Sequence, residues 1–336
     1  VEANYEYTVP ADGYHEAKDI FCKGIAMEQR MQCSMRTLYV VLHVYSGRRR
    51  TGNLQMHLEK QIAEENFDVM MISIDLAVDR KRCNLMEKSN RTFWLQQTAS
   101  GRVVGAFQGP PCETHTAARE HELPGGKGPR PLRSRKEPWC LEGLKPKELE
   151  QIEVANTLMW FSLQLLGLLI ATGGFCLLEH PAQPRGEKSV SIWRKWQVKA
   201  MSALPCVDLH TFNVSINGAP GVKPTTILAL RTPILARYVY TKQEDFVAPV
   251  RKTLLGIDSQ TGNFHTAAAK EYSSSLNLGF AKSIQDNLQE HHCRTGVASA
   301  EDLSEEWREM YKTWYVPFDY YGEEQQMGQD YGHLNE

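Results

Sequence analysis

Cys112 stands behind two prolines in GPPCETHT, directly after the apolar run RVVGAFQ. Pro110 and Pro111 restrict the backbone at and before them, so a thiol there is held in a stiff turn where a strand runs out. A thiol framed in this way can act as a nucleophile; the bland alternative is a half-buried structural cysteine. Glu179 closes a second apolar run, GFCLLEHP, where it can cap a following helix or set an acid beside that nucleophile. His115, three residues past Cys112, opens a Cys–His hydrolase reading. Such dyads generally draw their histidine from distant sequence and need a third, orienting group. His291, His292 and Cys293 form a compact cluster with no second half, so no metal site is expected.

Two further segments point to phosphate or nucleotide chemistry. In SGRRRTGN, Gly47 and Gly52 flank four residues as in a phosphate-binding loop, but Asn53 replaces the lysine that would reach the phosphates. A strand–glycine–helix turn can equally hold the amino-acid end of an adenosyl cofactor. Asp75, at the end of FDVMMISID, is placed to accept ribose hydroxyls. A turn glycine and a helix-capping aspartate give the same pattern. The loop EHELPGGKGPRPLRSRKEP carries Lys127, Arg130, Arg133, Arg135 and Lys136. It is either a solvated basic loop or one that closes over a phosphate backbone.

Strands are expected at LYVVLHVYS (38–46), FDVMMISID (67–75), RVVGAFQ (102–108), GFCLLE (174–179) and TTILAL (225–230). Helical patterns lie between them, at LQMHLEKQIAEE, in the second half of 76–101, over about 145–170, and over 191–204. Strands alternating with helices, with chemistry gathered at strand ends, describe a doubly wound, mostly parallel α/β sheet. Ligands collect at the carboxyl edge of such sheets. The 336 residues, 42% hydrophobic and 23% charged, suit a soluble globular chain, and a net charge of −2 points neither toward nor away from nucleic acid. Eight cysteines without a CxxC pair or regular spacing suggest reduced thiols in an intracellular protein. The uncharged stretch 154–178 is long enough to span a bilayer. Its polar residues and the Gly173-Gly174 break suit a buried helix and strand better, so no membrane is expected. The expected organisation is an N-terminal extension (1–35), a main domain (36–290) and an acidic, Tyr-rich tail (291–336).

A glycine turn after the first strand, an acid after the second, Pro-Pro-Cys after a later one and a strand carrying Glu resemble, in that order, the cytosine-C5 DNA methyltransferases. The family's Pro-Cys motif is matched by Pro111-Cys112, and its Glu-Asn-Val motif at Glu179 alone. SGRRRTG, GPPCET, RPLRS, LEHP and KPT together are similar to methyltransferase-like reading frames of dinoflagellate genomes, often linked to mobile elements. The likeness covers roughly residues 38–290, with KEYSSSLNLGFAKSI as its closing cofactor motif. Departures accompany it. The family's FxGxG reads Tyr45-Ser46-Gly47-Arg48-Arg49, with the second glycine lost. Asn84 stands near where an acid is expected, and no Gln-x-Arg-x-Arg is present, Lys223 being the local cation. Only about 30 residues occupy the place of a target-recognition region, so that region is reduced or absent.

The resemblance implies a Rossmann-like methyltransferase fold, S-adenosylmethionine as cofactor and DNA as partner, in the nucleus if the source is eukaryotic. Cys112 is then the nucleophile and Glu179 the group that holds the target ring. Arg119 or Arg133 is the candidate to favour the thiolate, with Lys223 as a further catalytic cation. Tyr45, Gly47, Asp75 and Pro110 line the cofactor, and Ser274 or Ser275 closes over it. Lys127, Arg130, Arg133 and Arg135 contact nucleic acid. The alternative is a degenerate module that binds cofactor or nucleic acid without turnover.

Overall fold

Six short segments form one sheet, and the central ones, rich in Val, Ile, Leu and Phe, are apolar on both faces, as strands covered by helices on both sides must be. The computed structural model describes residues 37–120, 129–184, 190–217, 219, 223–240 and 271–293. Strands β1 (Leu38–Val44), β2 (Asp68–Ile74), β3 (Val103–Gln108), β4 (Phe175–Pro181), β5 (Val207–Asn213) and β6 (Pro224–Leu230) lie in the order β2-β1-β3-β4-β6-β5. β1 runs parallel to β2 and to β3, and β3 runs parallel to β4. β6 is reversed, antiparallel to both β4 and β5.

Helices α1 (Leu54–Gln61), α5 (Leu235–Val239) and α6 (Ser274–Cys293) bury one face of the sheet. Their Leu58, Val239, Phe280 and Ile284 share a core with Val41, Phe107, Leu177 and Ile227. The alternate strand residues, among them Val40, Leu42, Ala106, Cys176 and Leu178, are also buried and point to the other face. That face carries α2 (Lys88–Ala99), α3 (Pro146–Ala171) and α4 (Trp196–Ser202). The fold is therefore a doubly wound, Rossmann-like α/β sandwich with a mostly parallel sheet, as expected. The chain leaves β1 toward β2 on one side and returns to β3 on the other. The crevice of such a fold opens at the carboxyl ends of β1 and β3.

Local chemistry explains several boundaries. Asn53, which stands where a phosphate-binding loop needs lysine, is instead the N-cap of α1, its Oδ1 accepting the Met56 N–H at 2.8 Å. α3 opens with Pro146 in its first turn, and Glu148 reaches back to accept the Lys145 N–H at 2.8 Å. α3 is long and apolar enough to cross a membrane, but most of its apolar window is buried inside the protein, against α2 and the sheet.

Two elements differ from expectation. β4 does not stop at Glu179 but continues through His180 and Pro181, because β6 supplies an antiparallel partner that pairs Glu179 with Ile227 and His180 with Thr226. β5 is the other. Its sequence VDLHTFN exposes Asp208, Leu209 and Thr211 at the sheet edge, so no clean apolar alternation marks it. The N-terminal extension, the loop residues 121–128, the segment 241–270 in the place of a target-recognition region, and the tail beyond 293 lie outside the described residues.

At Gly105, where β3 runs between β1 and β4, the ring of Phe175 covers the backbone so closely that a Cβ would stand 2.1 Å from Cζ. Gly105→Ala is expected to cost about 2 kcal/mol through overpacking. Urea unfolding should show a lower midpoint at unchanged slope.

Candidate active site

The loop after β1 and the end of β2 are tied by one carboxylate. Asp75 Oδ2 accepts the Gly47 N–H at 3.0 Å, and its Oδ1 accepts the Ala77 N–H at 2.7 Å. Gly47 takes a left-handed φ of +69°, and nothing lies within 4 Å of the point where its Cβ would stand. Open space thus faces the loop beside a carboxylate that keeps acceptor capacity after its two backbone bonds. Tyr45 is also left-handed at φ 62°, but its hydroxyl is anchored to α3, donating to the Leu158 carbonyl at 2.7 Å and lying 3.1 Å from Ser162 Oγ. Burial pushes the Tyr45 phenol well above its usual range. Asn84 Oδ1 accepts the Met86 N–H at 3.0 Å and so shapes the turn before α2.

The closing serines divide. Ser274 packs on Gly52, where a Cβ would meet its Oγ at 2.5 Å, and that Oγ lies 2.9 Å from His57 Nε2. Asn277 of α6 reinforces the junction by donating to the Gly52 carbonyl at 2.9 Å. Ser275 turns away, its hydroxyl directed at the Asn217 carbonyl beyond β5. Of the two, Ser274 stands at the glycine loop.

Cys112 and Glu179 stand at the carboxyl ends of β3 and β4. Gln108, at the end of β3, is fully buried and fastens the strand to α3 by donating to the Ser162 carbonyl at 3.1 Å. The buried Pro110 follows, and the Cys112 carbonyl accepts the His115 N–H at 2.9 Å, closing a turn that leaves Cys112 half-buried. Glu179 is buried inside β4, and its Oε1 lies 3.3 Å from Lys223 Nζ. Lys223 is delivered by the β5–β6 hairpin, where Asn213 Oδ1 accepts its N–H at 3.1 Å. Burial pushes the Lys223 ammonium down, but the Glu179 carboxylate and then the Cys112 sulfur outweigh it, and the net shift is upward. Tyr272, just before α6, completes the group. Burial, the Glu179 charge, a hydrogen bond to Glu179 and the Cys112 sulfur all raise its phenol well above the ordinary range. A Cβ on Gly109 would stand 3.3 Å from the Tyr272 hydroxyl and 3.4 Å from Glu179 Oε2. One cation and one phenol therefore sense both the thiol and the carboxylate.

The arginines expected near DNA or the thiol are disposed differently. Arg133 is turned inward and buried, donating to Thr114 Oγ1 at 3.0 Å and to the Pro138 and Trp139 carbonyls at 3.0 and 2.6 Å. It folds its own loop, so it is not exposed to a phosphate backbone; burial lowers its guanidinium to about 9. Arg119 donates to the Glu113 and Arg130 carbonyls and to Gln151 of α3, which brace the loop. Arg130 is exposed and forms a two-pronged pair with Glu148 at 2.9 and 2.7 Å. Arg135 and Lys136 are exposed, and Lys127 lies outside the described residues.

Behind Cys112 lies a cluster that sequence reasoning missed. Lys195 is buried, donates to the Pro138 carbonyl at 3.0 Å and stands 3.4 Å above the Trp139 ring, which stacks on Trp160. The rings of His115 and His180 are 5.8 Å apart in edge contact. Burial first, then Arg133 and Lys195, hold His115 well below its usual value. Burial holds His180 at about 3, with Lys223, Lys195 and Arg133 adding to the depression. Among the described residues no group of His, Cys, Asp and Glu is placed to hold a metal ion.

No protein-family model matches the chain, nor does any curated protein sequence. Among solved structures, the chain is similar to a protein described as a DNA modification methyltransferase encoded within an E. coli prophage (12% identity, TM-score 0.29, covering 65% of this chain and 53% of that one). It is similar to the S. pombe Dnmt2 methyltransferase (11% identity, TM-score 0.32, covering 64% and 62%). It is also similar to the Entamoeba histolytica methyltransferase EhMeth (9% identity, TM-score 0.35, covering 76% and 99%). The chain thus spans less than two thirds of the length of the first two.

The buried histidines set a pH dependence. Unfolded, His180 takes up a proton near pH 6.5; folded, it resists until about 3. Its contribution to stability is therefore full above pH 6.5 and is lost as pH falls from there toward 3. Stability should drop by about 2 kcal/mol from this residue alone between pH 7 and pH 5. Urea titrations at both pH values should show that drop, and His180→Asn should reduce it.

Proposed function

We propose that the protein transfers a methyl group from S-adenosylmethionine to C5 of cytosine in DNA through a covalent adduct at Cys112. The observation that carries the reading is the convergence of Cys112 and Glu179, from neighbouring strand ends, on the same two side chains, Lys223 and Tyr272. A thiol and a carboxylate sharing a cation are what attack on an electron-poor ring requires.

The residues of the loop after β1 fit the cofactor. Gly47 offers open space, Asp75 offers acceptor capacity to hydroxyl groups, and Ser274 stands at the edge of the same loop. When bound, S-adenosylmethionine supplies an electrophilic methyl group. The chain does the rest. The target base leaves the duplex stack, at a cost of about a few kcal/mol. Cys112 attacks C6 of the ring, forming a carbon–sulfur bond and making C5 nucleophilic. The Glu179 carboxylate accepts a hydrogen bond from the exocyclic amine, and from N3 as that nitrogen takes up a solvent proton during attack, and Lys223 lies beside it to offset negative charge at the ring and the sulfur. Loss of the C5 proton and expulsion of the Cys112 thiolate restore aromaticity. Arg135 and Lys136, with Lys127 on the same loop, are the cations offered to the phosphate backbone.

A second reading is motivated by the loop itself. Arg49 stands where the resembling family has glycine and lies close enough to the buried His43 to lower that imidazole further, after burial, to about 3. A module that binds S-adenosylhomocysteine in calorimetry without methyl transfer would fit it.

The first reading is tested on DNA containing 5-fluorocytosine with S-adenosylmethionine. Wild type should form a denaturation-resistant adduct, Cys112→Ala none, and Glu179→Gln should slow adduct formation about a hundredfold while remaining folded. Absence of any adduct with folded wild-type protein rejects the catalytic assignment.

A further inference from the structure

We infer that Tyr272 is the positioning residue of Glu179, and that Arg50 hangs it from the loop after β1, so that the cofactor loop and the ring-binding carboxylate form one mechanical unit. The inference rests on the reading of Cys112 and Glu179 as the reacting pair. Tyr272 lies 93 residues past Glu179 in the chain, and its neighbours in sequence carry no sign of the role.

Three sets of contacts fix it. Its ring is wedged in the core in edge contact with Phe107 of β3 and Phe280 of α6, at centroid distances of 5.9 and 5.7 Å. Its hydroxyl donates to Glu179 and lies against Gly109, the residue that begins the GPPC turn. Its carbonyl accepts a hydrogen bond from Arg50 Nη2, while Arg50 Nη1 pairs with the neighbouring Glu271 at 3.4 Å. A rigid aromatic body held on two sides delivers a polar tip to one carboxylate, close beside Gly109.

Glu179 is in this way held from two directions. Lys223 pairs with Oε1 at 3.3 Å from the β5–β6 hairpin, and the Tyr272 phenol binds the carboxylate from the α6 side. Lys223 Nζ itself stands 5.8 Å from the centroid of the Tyr272 ring. A carboxylate on a strand has free rotation about its terminal bonds, and two donors of different origin remove it. The expected consequence is a loss in turnover, not in cofactor affinity, when the hydroxyl alone is removed.

The experiment uses the full chain and two readouts. In protein labelled with ¹³C at the tyrosine ζ carbon, the Tyr272 signal is assigned by its disappearance in Tyr272→Phe. It should move in Glu179→Gln, which needs no activity to be seen. In methyl transfer assays Tyr272→Phe, which keeps the ring packing, should lower kcat about tenfold and leave KM for S-adenosylmethionine within twofold. A Tyr272 signal indifferent to Glu179→Gln overturns the inference, as does a Tyr272→Phe enzyme with wild-type kcat. A signal that moves while wild type shows no methyl transfer supports the hold on Glu179 and rejects the proposed reaction instead.

Discussion

The ion pair between Glu179 and Lys223 governs the arrangement of everything around it. Neither charge is at the surface, and taking both out of water is expensive. Their attraction offsets that expense only if both side chains are held in register and their remaining donors and acceptors are met. The fold meets this condition by pairing β6 antiparallel to β4, so that Lys223, at the start of β6, arrives beside Glu179, near the end of β4. A parallel strand in that position would begin at the opposite edge of the sheet. The reversed hairpin is thus the topological device that brings a cation to the carboxyl edge. An interior ion pair is a poor indicator of stabilisation, since apolar residues of similar volume serve as well. Its presence next to Cys112 is better understood as a requirement of position.

Much of this is legible in the sequence where a side chain follows a strand end. Gly47, Asp75 and Cys112 each lie just beyond an apolar run, and the strands form as those runs predict. Glu179 belongs with them, although its strand is longer because β6 prolongs it. Lys223 is singled out by family resemblance alone; a lone lysine before Pro-Thr-Thr carries no signal of burial. Tyr272 carries none either, because its partners come from β3, β4 and the β1 loop, and no local spacing encodes contacts so distant.

The basic loop shows why charge runs resist reading. Arg130, Arg133 and Arg135 lie within six residues in one Gly- and Pro-rich stretch. One pairs with Glu148 at the surface, one is buried under backbone carbonyls, and one is exposed. What separates Arg133 from the others is the position of the Pro138 and Trp139 carbonyls, which form a site for a fork of donors. A sequence records the donors and is silent about which carbonyls a loop will leave unpaired.

The interior behind Cys112 also weighs on the competing hydrolase. Arg133 and Lys195 are satisfied by carbonyls and by the Trp139 ring, which accept hydrogen bonds or offer a π face without neutralising charge. Burial first, and then the neighbouring cationic side chains, hold His115 and His180 below their usual values. A Cys–His hydrolase needs its imidazole to accept the thiol proton and stay charged beside the thiolate. His115 is badly placed to do so, because burial and two neighbouring cations oppose its protonation and its ring packs against His180. A background that penalises imidazolium weighs against a Cys–His pair at this position.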